Sequence, residues 1–225
     1  MTIKSRLAFG AAALAMSGLA NAATIDWNTW SSNSAGSIST ASGPISVTFS
    51  GEMSGQYANY PSWGPSATFA DGTIVANGPV ASNGIVRLVG GFGLGEATVD
   101  VITFSKPVVN PVFSIWSLGQ GGNTASFHFL DATPLFVAGG PSAEYGGSEI
   151  EVYGNDVFGT EGNGTVTFVG TFTSISWQNP VAEDWYGFNV GVQGAPSAVP
   201  EPGSMGMLLA GLTLTGLAAR RRSLR

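Results

Sequence analysis

The chain has 225 residues and a net charge of −6, with 33 Gly, 12 Pro, no Cys and a single His. Charged residues make up 10% of it, against a usual share of about 25%, while 44% are hydrophobic. These figures exclude charge-driven disorder, a disulfide-stapled scaffold, thiolate metal ligation, a cysteine nucleophile and a cysteine-linked lipid anchor.

Residues 1–22 read as a secretory signal peptide. Lys4 and Arg6 form a positive head, Leu7 to Leu19 is apolar, and Ala20-Asn21-Ala22 supplies the small residues of a cleavage site at Ala20 and Ala22. The apolar run would make about 20 Å of helix, too little for a hydrocarbon core of about 30 Å. With no cysteine to oxidise, the exported chain must be held by packing or by bound ions.

Residues 23–192 are predicted to form one extracellular domain, long enough for a full core. Between residues 23 and 199 only Arg87 and Lys106 face thirteen carboxylates, from Asp26 to Asp184, which leaves that segment at −11. Such a balance repels phosphate backbones and anionic membranes, and excludes nucleic-acid binding. The helical period is absent. Short β-branched and aromatic runs recur instead, at Thr24–Trp30, Ile45–Ser50, Ala67–Ala70, Thr73–Ala76, Ile85–Val89 and Ala97–Phe104. They continue at Val112–Ser117, Ala125–Leu130, Pro134–Val137, Ser148–Val152, Gly164–Trp177 and Trp185–Val192. Gly/Ser-rich stretches at 31–43 and 139–148 read as loops, and 193–198 as a linker. This pattern predicts an all-β fold, a jelly-roll-like β-sandwich, with a barrel as the other closure. In Ser126–Leu130 the alternation puts Phe127 and Phe129 on one face and His128 on the other.

Chemistry is sparse along this domain. A hydrolase triad needs a histidine, and only His128 is available, between two core phenylalanines. There is no H-E-x-x-H, G-x-S-x-G or P-loop, and Gly90-Gly91-Phe92-Gly93 marks a turn. Glu149/Glu151 and Glu183/Asp184 are the paired carboxylates. On a strand the first pair would share one face about 6–7 Å apart, a spacing compatible with glycoside hydrolysis. An extracellular polysaccharide hydrolase is therefore the alternative to a non-enzymatic role. Asp71, Asp131, Asp156 and Glu161 stand at strand ends or turns and are the candidate calcium ligands, although no D-x-D-x-D-G loop holds them. Tyr57, Tyr60 and Trp63 lie among turn formers and are the candidate stacking platforms for sugar rings, with Trp177 and Trp185-Tyr186 as a second set. Either set also suits a cap on the core. Thr165, Thr167, Thr171 and Thr173 would share a face if no bulge intervenes at Gly170, but a flat ice-binding array needs several such strands, and ordinary β propensity explains one.

The C-terminus has three parts in succession. Val199-Pro200-Glu201-Pro202 is stiff and extended, because each proline fixes its own φ and restrains its neighbour. Seventeen uncharged residues, Gly203–Ala219, follow and predict a single transmembrane helix of about 25 Å. Arg220, Arg221 and Arg222 would hold its end on the cytoplasmic side.

These residues resemble the PEP-CTERM sorting signal of Gram-negative bacteria, a tail family also labelled an ice-binding-protein C-terminal domain. The resemblance covers residues 199–225. It implies an exosortase as the processing partner, transient residence in the inner membrane, and release to the envelope or extracellular matrix alongside exopolysaccharide in biofilm formers. Ile175–Pro180 and Trp185–Val192 are also similar to the final strands of many PEP-CTERM cargo proteins. The expected role is structural or adhesive, in contact with extracellular polysaccharide.

Overall fold

The computed structural model describes residues 22–52, 55–57, 61–90, 98–181 and 183–194. In chain order the strands are β1 (Ile25–Trp30), β2 (Ala35–Ile38), β3 (Ile45–Ser50), β4 (Gly55–Tyr57), β5 (Ile85–Leu88), β6 (Val99–Val109), β7 (Val112–Leu118) and β8 (Ala125–Phe129). They continue with β9 (Pro134–Gly139), β10 (Ser148–Glu149), β11 (Glu151–Tyr153), β12 (Asp156–Gly159), β13 (Gly162–Phe168), β14 (Thr171–Gln178) and β15 (Tyr186–Gln193). The helical pieces are one α-turn, α1 (Ser66–Phe69), and one 3-10 turn, Ala81–Asn83.

The all-β class is as predicted. The strands make one nearly barrel-shaped sheet, ordered β10-β13-β7-β15-β1-β2-β3-β6-β14-β8-β12-β11. Beside this path β5 joins β15 to β4, and β9 edges β13. The link between the two halves is β1, whose start pairs with β15 (Ile25 opposite Gln193) and whose end pairs with β2 (Trp30 opposite Gly36). The sheet turns over along this strand, and the two halves close on one core.

Alternation explains which side chains enter that core. In β3, Ile45, Val47 and Phe49 are buried while Ser46, Thr48 and Ser50 are exposed. From one half come Phe113 and Phe188, and from the other Phe49, Phe129 and Trp177. Phe113 is the hub: it stacks on Phe188 at 5.6 Å and meets Phe129, Phe168 and Trp177 edge-on at 5.9, 5.3 and 5.6 Å. Phe127 and Phe129 lie in the core and His128 is half-exposed, as the alternation predicts.

Two expected strands are not strands. Ala67–Ala70 is largely α1, opened by Pro65, and Thr73–Ala76 is an irregular segment that makes one isolated bridge, Val75 to Ala23. Residues 61–84 instead cover the outer face of the sheet. Trp63 and Phe69 pack on Ile85 and Trp116, while Val75 packs with Ile25, Trp27 and Val112. A four-residue apolar run cannot by itself distinguish a strand from a buried turn.

Two long runs are split. Gly164–Trp177 becomes β13 and β14, which pair with different neighbours on either side of Gly170 at φ +135°. Ser148–Val152 becomes β10, parallel to β13, and β11, antiparallel to β12, with Ile150 buried between them. β2 falls within a stretch read as loop. Its Gly36 sits under Asn28, where an added Cβ would come within 2.4 Å of the amide oxygen. Finally, β15 runs to Gln193 and Gly194 still donates to the Thr24 carbonyl, so the predicted linker begins later than residue 193.

Candidate functional site

Of the predicted aromatic platform, the described structure fixes only Trp63. Trp63 is 3% exposed, with its ring edge-on to Phe69 at 5.1 Å, so it is core and offers no free face to a sugar. The physical reason is the cover made by residues 61–84, which turns Trp63 onto the sheet. Tyr57 lies in β4 opposite Ile85, and Tyr60 falls outside the described residues. Trp177 is wholly buried and donates its indole N–H to Asn179 at 2.9 Å.

The four calcium candidates do not converge either. Asp71 accepts from the backbone N–H groups of Thr73, Ile74 and Val75 and from the Thr73 hydroxyl. Partial burial works against the charge, but these hydrogen bonds outweigh it and hold the carboxyl down at about 2. Asp131 accepts from the backbone and hydroxyl of Ser176, tying the end of β8 to β14. Asp156 faces the His128 ring at 2.7 Å. Glu161 accepts from the Ser117 hydroxyl at 2.7 Å. Each carboxylate holds its own turn, and no group of three acidic or histidine side chains suited to a metal ion exists among the described residues.

The His128–Asp156 pair is the only trace of a hydrolase triad, and no serine or threonine hydroxyl among the described residues hydrogen-bonds the ring. Glu149 and Glu151 are both exposed and line one open groove of about 260 Å³ with Thr124, Ser148, Phe158 and Thr160. They reach it from two strands, β10 and β11, rather than from one face of a single strand. The four threonines do not share a face. Thr165 and Thr167 of β13 are buried, bonded to the Phe69 and Pro111 carbonyls, whereas Thr171 and Thr173 of β14 are exposed in a different part of the sheet.

Chemistry concentrates at the end of the domain where β15 begins. Glu183 is 4% exposed; one oxygen accepts from the Gly119 N–H at 3.0 Å and the other has no partner among the described residues. Burial, then the charges of Asp184 and Glu161, push its carboxyl up to about 8. Asp100 is buried beneath Gly51 and accepts from the Glu52 N–H at 2.8 Å. Burial, then the Glu52 charge, raise it to about 7. The Tyr186 phenol is driven upward by burial and by the same three carboxylates, Glu183, Asp100 and Glu52. Above them Trp116, Tyr145 and Trp185 form a ring cluster, with centroids 4.9–5.9 Å apart, and the Arg87 guanidinium lies 4.9 Å from the Trp185 centroid. The sequence signals this place through the Glu183/Asp184 pair and through Trp185-Tyr186, the second aromatic set. Which of the two carboxylates is buried depends on how the turn meets β7.

Glu183 makes stability depend on pH with a definite sign. Its folded value of about 8 lies above the ordinary 4.5, so the folded state holds the proton more tightly and stability falls as pH rises from about 4.5, levelling off above 8. Glu183→Gln keeps an acceptor for Gly119 and cannot ionise. Urea unfolding should find the variant equal to wild type near pH 4 and more stable by about 2–4 kcal/mol at pH 9. A less stable variant at pH 9 would contradict this account.

The signal-peptide residues through Asn21, Ala20 included, and the whole tail from residue 195, including Val199–Pro202 and Arg220–Arg222, lie outside the described residues. Ala22 is the first described residue. No helix among the described residues is long and apolar enough to cross a membrane. The domain nonetheless places both of its ends together, since β1 and β15 are antiparallel neighbours. No curated protein and no solved structure matches the chain. Residues 198–222 match the PEP-CTERM protein-sorting motif, which spans the Pro-Glu-Pro peptide, the uncharged run and the three arginines. The chain carries a PEP-CTERM sorting motif, which implies export to the envelope or the exterior with an exosortase as the processing partner.

Proposed function

We propose that the protein is a non-enzymatic structural or adhesive component of the extracellular matrix of a Gram-negative biofilm former, bound to exopolysaccharide. In this reading Gly203–Ala219 crosses the inner membrane once, Arg220–Arg222 stay cytoplasmic, and a jelly-roll-like domain stands outside until the tail is cut.

The observation that carries the reading is the end formed by Trp185, Tyr145, Arg87, Glu183 and Asp184. Tyr145 is 52% exposed and packs against Trp116 and Trp185. A ring already held by its neighbours can take the apolar face of a sugar with little ordering cost. Exposed Asp184 and the Arg87 guanidinium over the Trp185 ring supply an acceptor and a donor for hydroxyl groups.

A second reading, hydrolysis of polysaccharide, is favoured by the groove that holds both Glu149 and Glu151. One experiment separates the two: retention of residues 23–198 on the host's exopolysaccharide, with calcium and with a chelator, followed by sizing of the glycan. Retention without shortening supports the matrix role, and its loss on chelation would add calcium as a bridge. Shortening that Glu149→Gln/Glu151→Gln abolishes, with the fold intact, would make the protein a hydrolase. No retention in either condition would end the polysaccharide reading.

A further inference from the structure

The ring cluster and the carboxylate groove are parts of one face. Tyr145 and Ser148 are close in the chain, at most about 11 Å apart when it is extended. The segment between them is fixed against β13. The Asn163 amide donates to the Gly146 carbonyl at 3.2 Å, and the Ser148 N–H donates to the Glu161 carbonyl at 3.2 Å. Gly119 carries the contact onward. Its carbonyl accepts from the Glu161 N–H at 2.9 Å, and its own N–H donates to Glu183 at 3.0 Å. Trp185 then returns to Tyr145, with ring centroids 5.9 Å apart. The face therefore runs from the rings past Glu161 to the groove of Ser148, Glu149, Glu151 and Thr160.

Charge on this face is almost all of one sign. Glu149, Glu151 and Asp184 are exposed, and Glu144 and Glu161 are half-buried. Among the described residues its one cation is Arg87, over the Trp185 ring, since Lys106 stands toward the far end of β6. Two of its carboxylates are only half used. Glu144 accepts from the Ser62 N–H at 2.8 Å, and Glu183, 4% exposed, accepts from Gly119. The second oxygen of each is shielded and has no partner among the described residues. A buried acceptor that the fold leaves open calls for a donor from outside.

An anionic glycan would be repelled here, and a neutral one would draw only hydrogen bonds from the carboxylates. An ammonium group brings both the missing charge and three donors, and it is also attracted to the face of a ring such as Tyr145. The hydroxyls of Thr124 and Thr160, 3.1 Å apart in the groove, favour a sugar over a basic peptide. Each both donates and accepts, as sugar hydroxyls do, whereas a lysine side chain only donates. We propose that this face binds a glycan carrying free amino groups, with a sugar ring on Tyr145 and ammonium groups at Glu183/Asp184 and at Glu149 and Glu151. The specificity rests on the polysaccharide reading above and names its glycan class.

The domain closes on its own core between Thr24 and Gly194, so residues 23–198 can be titrated without the tail. The probes are glucosamine hexamer, N-acetylglucosamine hexamer and hexalysine, followed by calorimetry. Glucosamine hexamer is expected to bind about tenfold tighter than its acetylated counterpart, by a margin that shrinks with salt. Glu149→Gln/Glu151→Gln/Asp184→Asn should remove most of that margin, and Tyr145→Ala should weaken both sugars. Asp26→Asn/Asp71→Asn/Asp131→Asn makes the same change in net charge away from this face and should keep the margin. Thermal unfolding checks that each variant is folded. Equal affinity for the two sugar hexamers, or an equal loss in both triple variants, would overturn the amino-sugar specificity. Hexalysine bound as tightly as glucosamine hexamer, with Tyr145→Ala silent, would replace the glycan by a basic peptide. No affinity for either sugar hexamer, with the host's exopolysaccharide still retained, would overturn the glycan class alone. No retention of that polysaccharide would overturn both readings.

Discussion

Phe113→Ala is expected to destabilise the domain by about 3–5 kcal/mol in urea unfolding, the range for removing a fully buried phenylalanine. The ring is inaccessible and contacts Phe129, Phe168, Trp177 and Phe188, which come from both halves of the sheet. Neighbours held in four different strands cannot all move inward, so most of the cavity would persist. Phe136→Ala, on the edge strand β9 and 42% exposed, should cost less than about 1 kcal/mol. Comparable losses at the two positions would mean that the core does not close around Phe113.

Pro200→Ala/Glu201→Ala/Pro202→Ala should leave full-length protein in the inner membrane and lower the released form at least tenfold, read by fractionation and blotting with an antibody to the domain. The prolines hold the peptide extended, so a protease binds it with little loss of chain entropy; alanine removes that preorganisation together with the charge at Glu201. The substitutions lie beyond β15, and thermal unfolding of the exported domain should be unchanged. Normal release of the triple variant would overturn processing at this motif.

The aromatic and β-branched runs were legible as strands wherever a strand has one buried face. Ile45–Ser50 coincides with β3, because alternation and burial agree at every residue. Legibility failed at three kinds of place. Residues 66–76 bury apolar side chains against the outside of a sheet, which requires no strand. β2 and β12 carry too few large side chains to announce themselves and exist because neighbours offer them hydrogen bonds. The breaks at Ile150 and Gly170 come from changes of partner, which a local pattern does not record.

The candidate site was less legible still. Trp63 and Trp185 are both aromatic residues beside turns, yet one is core and the other half-exposed in a ring cluster with Tyr145. Composition cannot separate them, because exposure depends on which segment crosses above. Glu183 and Asp184 are adjacent and chemically alike. Only the approach of Gly119 and Val89 makes the first a buried acid with its carboxyl near 8.

By itself the sequence determined the all-β class and the sorting motif. Both are written in local order: a period of two along the strands, and a proline-rich peptide, an apolar run and arginines in succession. Tertiary structure decided the closure of the sheet through β1, the cover over its outer face, the dispersal of the four calcium candidates, and the meeting of both chain ends. Each of these depends on pairings between residues far apart in the chain, such as Ile25 with Gln193. Their free energy exists only once the chain has closed.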